Sequence, residues 1–582
     1  MINQTISQKI LTSLQKGFQT GFQSPRQAPR WTISLPLLGL ILLSGAIALY
    51  GINWGLPDWK GWAADELTPE RVLEAIDQKF ANGWHYKYPP FHYYLLTLLY
   101  SPLLVLKQLG WVSFEDLKTY SLLFYLNRLL CVVMGMGTMV LMVRLGEMIF
   151  DRKTGWLAAL SMALTPLYVY YAKIANLDIP VLFWSITFLI VYVEILNHHR
   201  FRDYIIGAVL AAIAVCTKDQ FYGFCILTPF FVIWHYWQKQ RLSNPQFTLW
   251  QAVRDRRVGY GLGAGVGAFL ILQNALFNFQ GFIDRFNLIL YGGASIRPRY
   301  EESLQGQWEM LGQSFGHLQF SFGWPLWWLA WVGIALYGWR LVRSLRGHSQ
   351  PNRTSPHPTD RQWLPLYLWV PGISYYLFYI APILYNDVRY LMPLMPLFAF
   401  FAGSAMAQLS DRLKPWFFPG AFITTLALMY SLGYSWTVNS LMTHDSRYFV
   451  EEWMRSQIPA NQLILEVGIE KYLPRTTGFQ AKLLEEPDLG QVSALKPQWI
   501  IVSSGYDQRR FLQNSPGHQF FEQLQSGKLG YELALQYQTK PKWYWFDRPT
   551  VTYRLLDDMK IYSNFDKIDP EITIYRSNKS TE

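Results

Sequence analysis

Cysteine and charge are both scarce in this chain. Cys131, Cys216 and Cys225 are the only thiols in 582 residues, and all three stand in apolar runs without paired spacing. That excludes a disulfide framework and a thiolate zinc site, and leaves them as small apolar fillers. Charged residues make up 16%, against about 25% in a soluble domain. With 51% hydrophobic and 17% aromatic residues, this excludes a disordered chain or a coiled coil and argues against a cytosolic enzyme. No internal repeat is visible. No nucleotide-sugar domain is visible either, since Asp557-Asp558 stands isolated near the C-terminus.

The charge that is present is unevenly placed. Residues 438–582 hold 17 Lys+Arg against 18 Asp+Glu, and the first 437 residues hold 34 against 22. The excess behind the net +11 therefore lies among the apolar runs, where positive loops flank spanning helices. It does not point to nucleic acid. A tail, residues 1–30, carries Lys9, Lys16, Arg26 and Arg30 and no acid, and the apolar run Trp31–Tyr50 follows. About 20 residues suffice to span, and a signal peptide has a shorter apolar core, so this reads as an uncleaved anchor with a cytoplasmic N-terminus.

Further apolar runs occupy 122–146, 155–169, 180–196, 204–217, 221–238, 258–277, 321–340, 363–382, 390–408 and 416–437. Basic clusters fill alternate gaps: Arg144, Arg152 and Lys153; Arg200 and Arg202; Lys239, Arg241, Arg254, Arg256 and Arg257; Arg340 through Arg361; Arg412 and Lys414. If the run 89–109 also spanned, every later basic loop would face outward, against the positive-inside rule. It is therefore expected to lie on, or dip into, the outer face. The expectation is an α-helical polytopic membrane protein with about eleven spans over residues 31–437, a long outer loop at 53–121, and residues 438–582 outside.

Within the outer loop, Thr68-Pro69-Glu70 predicts a helix start, and Asn82-Gly83 ends it. Its stripe Val72, Ile76 and Phe80 fits either an interfacial helix or packing against other loop segments. Beyond 438, short β-type runs appear at Leu463–Leu465, Trp499–Val502 and Ile572–Tyr575. Helical stretches lie between them, at about 445–457 and 507–527. This predicts a small soluble α/β domain.

Charged groups recur where outer loops meet apolar helices: Asp65-Glu66, Lys173 with Asp178, Lys218-Asp219, and Asp387-Val388-Arg389-Tyr390. Each has a plain alternative. Asp65 can be a helix-cap or surface acid. Lys218 and Arg389 can be snorkelling anchors. Asp178 can be a structural partner of Lys173 or Lys218. Together they bring acids and bases to one membrane face. A carboxylate there can take a proton from a hydroxyl, and Lys or Arg can hold a phosphate.

Other short motifs come in a telling order. Asp65-Glu66 and Tyr88-Pro89-Pro90 precede Asn127-Arg128 and the basic loop Phe150-Asp151-Arg152-Lys153-Thr154-Gly155. Leu164-Thr165-Pro166, Ala175, Asp178, Thr217-Lys218 and Arg389-Tyr390-Leu391 follow. This series, over most of residues 31–440, resembles the GT-C membrane glycosyltransferases. It is most similar to their protein-mannosyltransferase and aminoarabinose-transferase (glycosyltransferase family 39-like) branch. Many relatives carry a Tyr a few residues after Asp-Glu, where this chain has Leu67-Thr68-Pro69.

The resemblance implies transfer of a sugar from a polyprenyl-phosphate donor to a protein, lipid or glycan acceptor, at the extracytoplasmic face of the plasma (inner) membrane. Asp65 would be the catalytic base. Lys87, Lys218 and Arg389 would stabilise the leaving phosphate, with Glu66, Tyr88, Lys173, Asp178 and Tyr390 also binding substrate. Arg285, Arg297 and Arg299, in the 278–320 outer loop, form a reserve basic set. Inversion is expected because no second carboxylate is placed for a covalent intermediate. No cofactor is called for; a divalent metal is compatible with the acids, and nothing demands one. A transporter or flippase of lipid-linked saccharides is the alternative, but it should place ionisable groups at mid-span, often between repeats. A scaffold role for the C-terminal domain is a third reading.

Overall fold

The computed structural model describes residues 34–292, 298–347, 362–412, 417–508, 511–513, 515–539 and 564–578. The tail 1–30, Arg297, most of the Arg340–Arg361 loop and Asp557-Asp558 lie outside the described residues. Elements follow the expected order. After α1 (Leu35–Leu49) come α2 (Pro69–Asp77) and α3 (Pro90–Gln108), within the segment 53–121. The chain then forms α4 (Leu117–Ile149), α5 (Arg152–Ala163), α6 (Pro166–Tyr171), α7 (Asp178–His198), α8 (Phe201–Thr217), α9 (Thr228–Ser243) and α10 (Arg256–Leu272). Next are α11 (Phe279–Gly292), α12 (Leu304–Gly347), α13 (Leu364–Ile383), α14 (Val388–Ser410) and α15 (Phe417–Thr443).

Among the described residues, four helices, α4, α7, α13 and α14, are long and apolar enough to cross a bilayer. Other expected runs form shorter helices, such as α8 and α10 at 17 residues each. The run 155–169 is split into α5 and α6 because Thr165 caps a new helix with Pro166 at its first turn. The run 321–340 is part of the 44-residue α12, which kinks at Gly323, where φ is 69°.

The basic loop motif at 150–155 has a steric reason. Asp151 accepts the Thr154 N–H at 2.8 Å and caps α5. A Cβ at Gly155 would stand 2.5 Å from the Val143 carbonyl oxygen, so α4 and α5 meet backbone to backbone.

The segment 89–109 is a helix, and it is not among the four long apolar ones. It buries Tyr93, Leu96 and Tyr100 on one face, against Val72 and Ala75 of α2. Leu98, Val105 and Leu109 are exposed on the other. The α2 stripe thus packs on α3, and the two helices share a small core with Trp84, Phe114 and, from α4, Leu123.

The C-terminal domain has a five-stranded sheet in the order β2-β1-β3-β5-β4. These are β1 (Leu463–Val467), β2 (Gln480–Leu484), β3 (Trp499–Ser503), β4 (Tyr531–Tyr537) and β5 (Ile572–Ser577). β1 runs parallel to β2 and β3, and β5 is antiparallel to β3 and β4. α16 (Ser446–Gln457), α17 (Leu489–Leu495) and α18 (Pro516–Gln525) complete it. Val450 and Met454 of α16 pack on one sheet face, and Phe520, Phe521 and Leu524 of α18 on the other.

Candidate active site

Asp65 sits in the irregular segment before α2 with φ 56°, a left-handed conformation that Asp tolerates better than most residues. Its carboxylate is held on both sides. Lys87 donates to Oδ1 at 3.0 Å, and Arg389 donates to Oδ2 at 2.7 Å. Burial pushes the Asp65 carboxyl up. The Arg389 and Lys87 charges and hydrogen bonds outweigh it and hold the group well below the usual carboxylate range. Lys87 is the more exposed cation, with its ammonium 5.0 Å from the Tyr88 ring centroid. Arg389 lies deeper, 5.3 Å from the Tyr390 ring centroid, and its Nε is buried without a partner. One guanidinium edge is therefore open to a further acceptor.

Lys218 follows α8 and reaches Asp178 at the start of α7, at 2.5 Å. The pair is largely buried, and Asp178 Oδ2 has no partner. Lys218 also lies 6.0 Å from the Tyr390 ring centroid, so Tyr390 is flanked by Lys218 and Arg389. The structural-partner reading of Asp178 therefore describes its geometry. Lys218 and Arg389 are each paired with an acid, Asp178 and Asp65 respectively.

Glu66 and Lys173 face elsewhere. Glu66 takes Arg128 in a two-pronged pair, 2.7 Å from Nε and 2.9 Å from NH2, and accepts the Ala175 N–H at 2.9 Å. Arg128 NH1 also caps the Ile52 and Trp54 carbonyls. Both side chains are fully buried, so Glu66 welds the loop to α4 and its carboxylate is not free for sugar. The Lys173 ammonium is fully buried and donates to the Ile47 and Tyr50 carbonyls and to Asn439. Three protons meet three acceptors, so this lysine joins α1 to α15 and has none left for a phosphate. Of the reserve basic set, Arg285 pairs with Asp219, and Arg299 holds the Asn386 carbonyl and the Tyr385 hydroxyl. Among the described residues, no three His, Cys, Asp or Glu side chains gather as metal ligands.

Sequence reasoning missed Arg128 as the partner of Glu66, although an arginine inside an apolar run is itself a signal that an acid must meet it. It also missed every contribution of the C-terminal domain. Lys471 reaches the Ala63 carbonyl at 3.2 Å, and Asn564 reaches the Tyr171 hydroxyl at 3.2 Å.

Residues 126–253 match the family described as dolichyl-phosphate-mannose-protein mannosyltransferase. The segment holds Asn127-Arg128, the 150–155 loop, Asp178 and Lys218, and it agrees with the GT-C resemblance drawn from the order of the motifs. No curated protein matches the chain. Three solved structures are similar at a distance. ArnT from Cupriavidus metallidurans, bound to undecaprenyl phosphate, has a TM-score of 0.44 and 12% identity, over 94% of this chain and 98% of its own. The Archaeoglobus fulgidus oligosaccharyltransferase tethered with an acceptor peptide has a TM-score of 0.41 and 12% identity, over 80% and 69%. Arabinofuranosyltransferase AftD from Mycobacteria has a TM-score of 0.41 and 13% identity, over 96% and 42%.

Proposed function

We propose that this chain is a polytopic membrane glycosyltransferase that moves one sugar from a polyprenyl-phosphate donor to an acceptor on the extracytoplasmic face of the plasma membrane. The observation that carries the reading is the Asp65 carboxylate set between Lys87 and Arg389, with Lys218–Asp178 beside Tyr390. An acid that can take a proton stands against cations that can take a phosphate. The family match over 126–253 supports the same chemistry. In the proposed topology the N-terminus is cytoplasmic and the C-terminal domain lies outside.

The reaction forms a bond from the acceptor oxygen to the anomeric carbon and breaks the bond from that carbon to the phosphate oxygen. Lys87 and Arg389 leave Asp65 for the donor phosphate as its charge grows, the electrostatic contribution that is often largest in catalysis. Released from its cations, Asp65 regains basicity, orients the acceptor hydroxyl and takes its proton. Among the described residues, Asp178 is engaged by Lys218 and Asp387 accepts the Arg389 N–H, so neither is offered for a covalent intermediate, and the centre inverts. Purified full-length protein, incubated with a panel of radiolabelled polyprenyl-phosphate sugars and a membrane extract as acceptor source, should release label from one donor class. Retention of label on every donor would overturn the reading.

A further inference from the structure

We infer that the C-terminal domain is a working part of the active site, and that Lys471 is a positioning residue which holds the Asp65 loop from outside the helical bundle. The inference deepens the glycosyltransferase reading and rests on it for the role of Asp65.

Asp65 belongs to a segment without regular secondary structure, between α1 and α2. A non-glycine residue with positive φ persists when its surroundings over-determine it, and much of that determination comes from beyond residue 444. Tyr448 accepts the Gly55 N–H at 2.9 Å, Arg475 donates to the Pro57 carbonyl at 3.0 Å, and Lys60 pairs with Glu470 at 2.6 Å. Trp54 donates its indole N–H to Asp445 at 2.9 Å. Trp62, three residues before Asp65 and 1% exposed, is gripped on several sides. Arg447 lies 4.1 Å and Arg475 5.0 Å from its ring centroid, and the Tyr448 ring packs 4.8 Å away. Arg447 is itself fully buried against Asp445, and its NH1 donates to the Lys471 carbonyl. Lys471 then completes the chain by donating to the carbonyl of Ala63, two residues from Asp65. Its ammonium lies in the fields of Glu66 and Asp65 and is opposed by Lys87.

A second hold reaches the other side of the site. Asn564 donates to the Tyr171 hydroxyl, and Phe565 packs 5.4 Å from the Tyr170 ring and 5.6 Å from Phe320. Tyr171 lies in the fields of Arg389, Asp178 and Asp387. The domain thus grips both the acid-bearing loop and the wall next to the phosphate-binding cations. A tethered partner module would make neither set of buried contacts.

The test compares Lys471→Met and Lys471→Arg in the full-length protein. Reorienting a catalytic group by a fraction of an ångström costs on the order of ten- to a hundredfold in rate. Lys471→Met should lower kcat by about that factor, leave the Kd for undecaprenyl phosphate unchanged, and speed backbone hydrogen exchange over residues 54–66. Lys471→Arg can still donate to the Ala63 carbonyl and should restore both exchange and kcat. Lys60→Met, at an exposed pair farther from Asp65, should raise exchange near residue 60 with a smaller loss of kcat. Wild-type exchange over 54–66 in Lys471→Met would overturn the inference, whatever happens to the rate. If the wild-type protein transfers no sugar from any donor, the glycosyltransferase reading fails, while the exchange measurement still decides whether Lys471 holds the loop.

Discussion

Replacing Asp65 by asparagine separates two effects that the resting site ties together. The carboxylate is the proposed base, and it also occupies Lys87 and Arg389, the cations expected to receive the donor phosphate. The substituted amide could still accept a hydrogen bond but would hold no cation by charge, so the variant should turn over slowly while binding lipid phosphate more tightly. The Lys87 bond is half-exposed and contributes little after screening. The Arg389 bond is more protected, with the guanidinium side chain 14% exposed. Loss of one such charge-assisted bond releases about 1.5–3 kcal/mol, or roughly 10–150-fold in Kd. Turnover should fall by about 100-fold or more, as for loss of a general base. Undecaprenyl phosphate binding and turnover at saturating donor measure the two arms. Unchanged or weaker lipid binding by Asp65→Asn would refute the competition between Asp65 and phosphate. Near-normal turnover would remove Asp65 from the chemistry.

Arg389→Ala should weaken donor use by roughly 10–150-fold, and Arg389→Lys should rescue only in part because it lacks the planar fork; donor titrations of initial rate decide this. Glu66→Gln strands the Arg128 charge in the interior, so it should destabilise by about 3–5 kcal/mol, seen as loss of folded protein in size-exclusion profiles. Burial, with help from Glu470 and Asp58 and against a hydrogen bond from Thr476, pushes Glu466 up to about 7. Its folded-state value thus exceeds its unfolded one, and stability falls as pH rises from about 4.5 to 7. Glu466→Gln should match wild type near pH 4.5 and exceed it at pH 8 by at most about 3 kcal/mol, read from thermal unfolding of the C-terminal domain in the intact protein. Gly155→Ala should cost about 1–3 kcal/mol by forcing α4 and α5 apart, while Gly312→Ala, with open space at its Cβ in the helical α12, should not lower the melting temperature and should raise it slightly.

Most of the helical architecture was legible because apolar runs and their caps are local signals. Thr68 and Pro69 marked a helix start that the structure shows, whereas Thr165-Pro166 opens a helix inside what read as one continuous run. β1, β3 and β5 were legible as β-branched, buried runs. β2 and β4 escaped because they are the sheet edges: Gln480, Ala481 and Lys482 are exposed, and β4 mixes Glu and Gln with Leu. At the site, residue types were readable and Lys218 was one of two partners offered for Asp178, but the other partners were not. Nothing local tells Arg389 that Asp65 waits 324 residues away. Lys173 and Glu66 resembled their neighbours in sequence, and only packing turned both inward. The docking of residues 445–475 on Trp54 and Trp62 left no periodic trace, since it rests on single aromatic, arginine and lysine contacts.

The insertion of Phe565 beside Tyr170 has a consequence for the order in which the protein is made. Asn564 meets a hydroxyl 393 residues upstream, so the wall behind Tyr171 is closed by a segment that is made after α1 to α15. Every helix can be threaded into the bilayer before that segment exists. The nascent chain therefore passes through a stage in which its helices are formed but the wall at Tyr170 and Tyr171 still lacks a side. Completion requires residues 445–578 to fold and return to the bundle, and a product ending before residue 564 would leave that gap open.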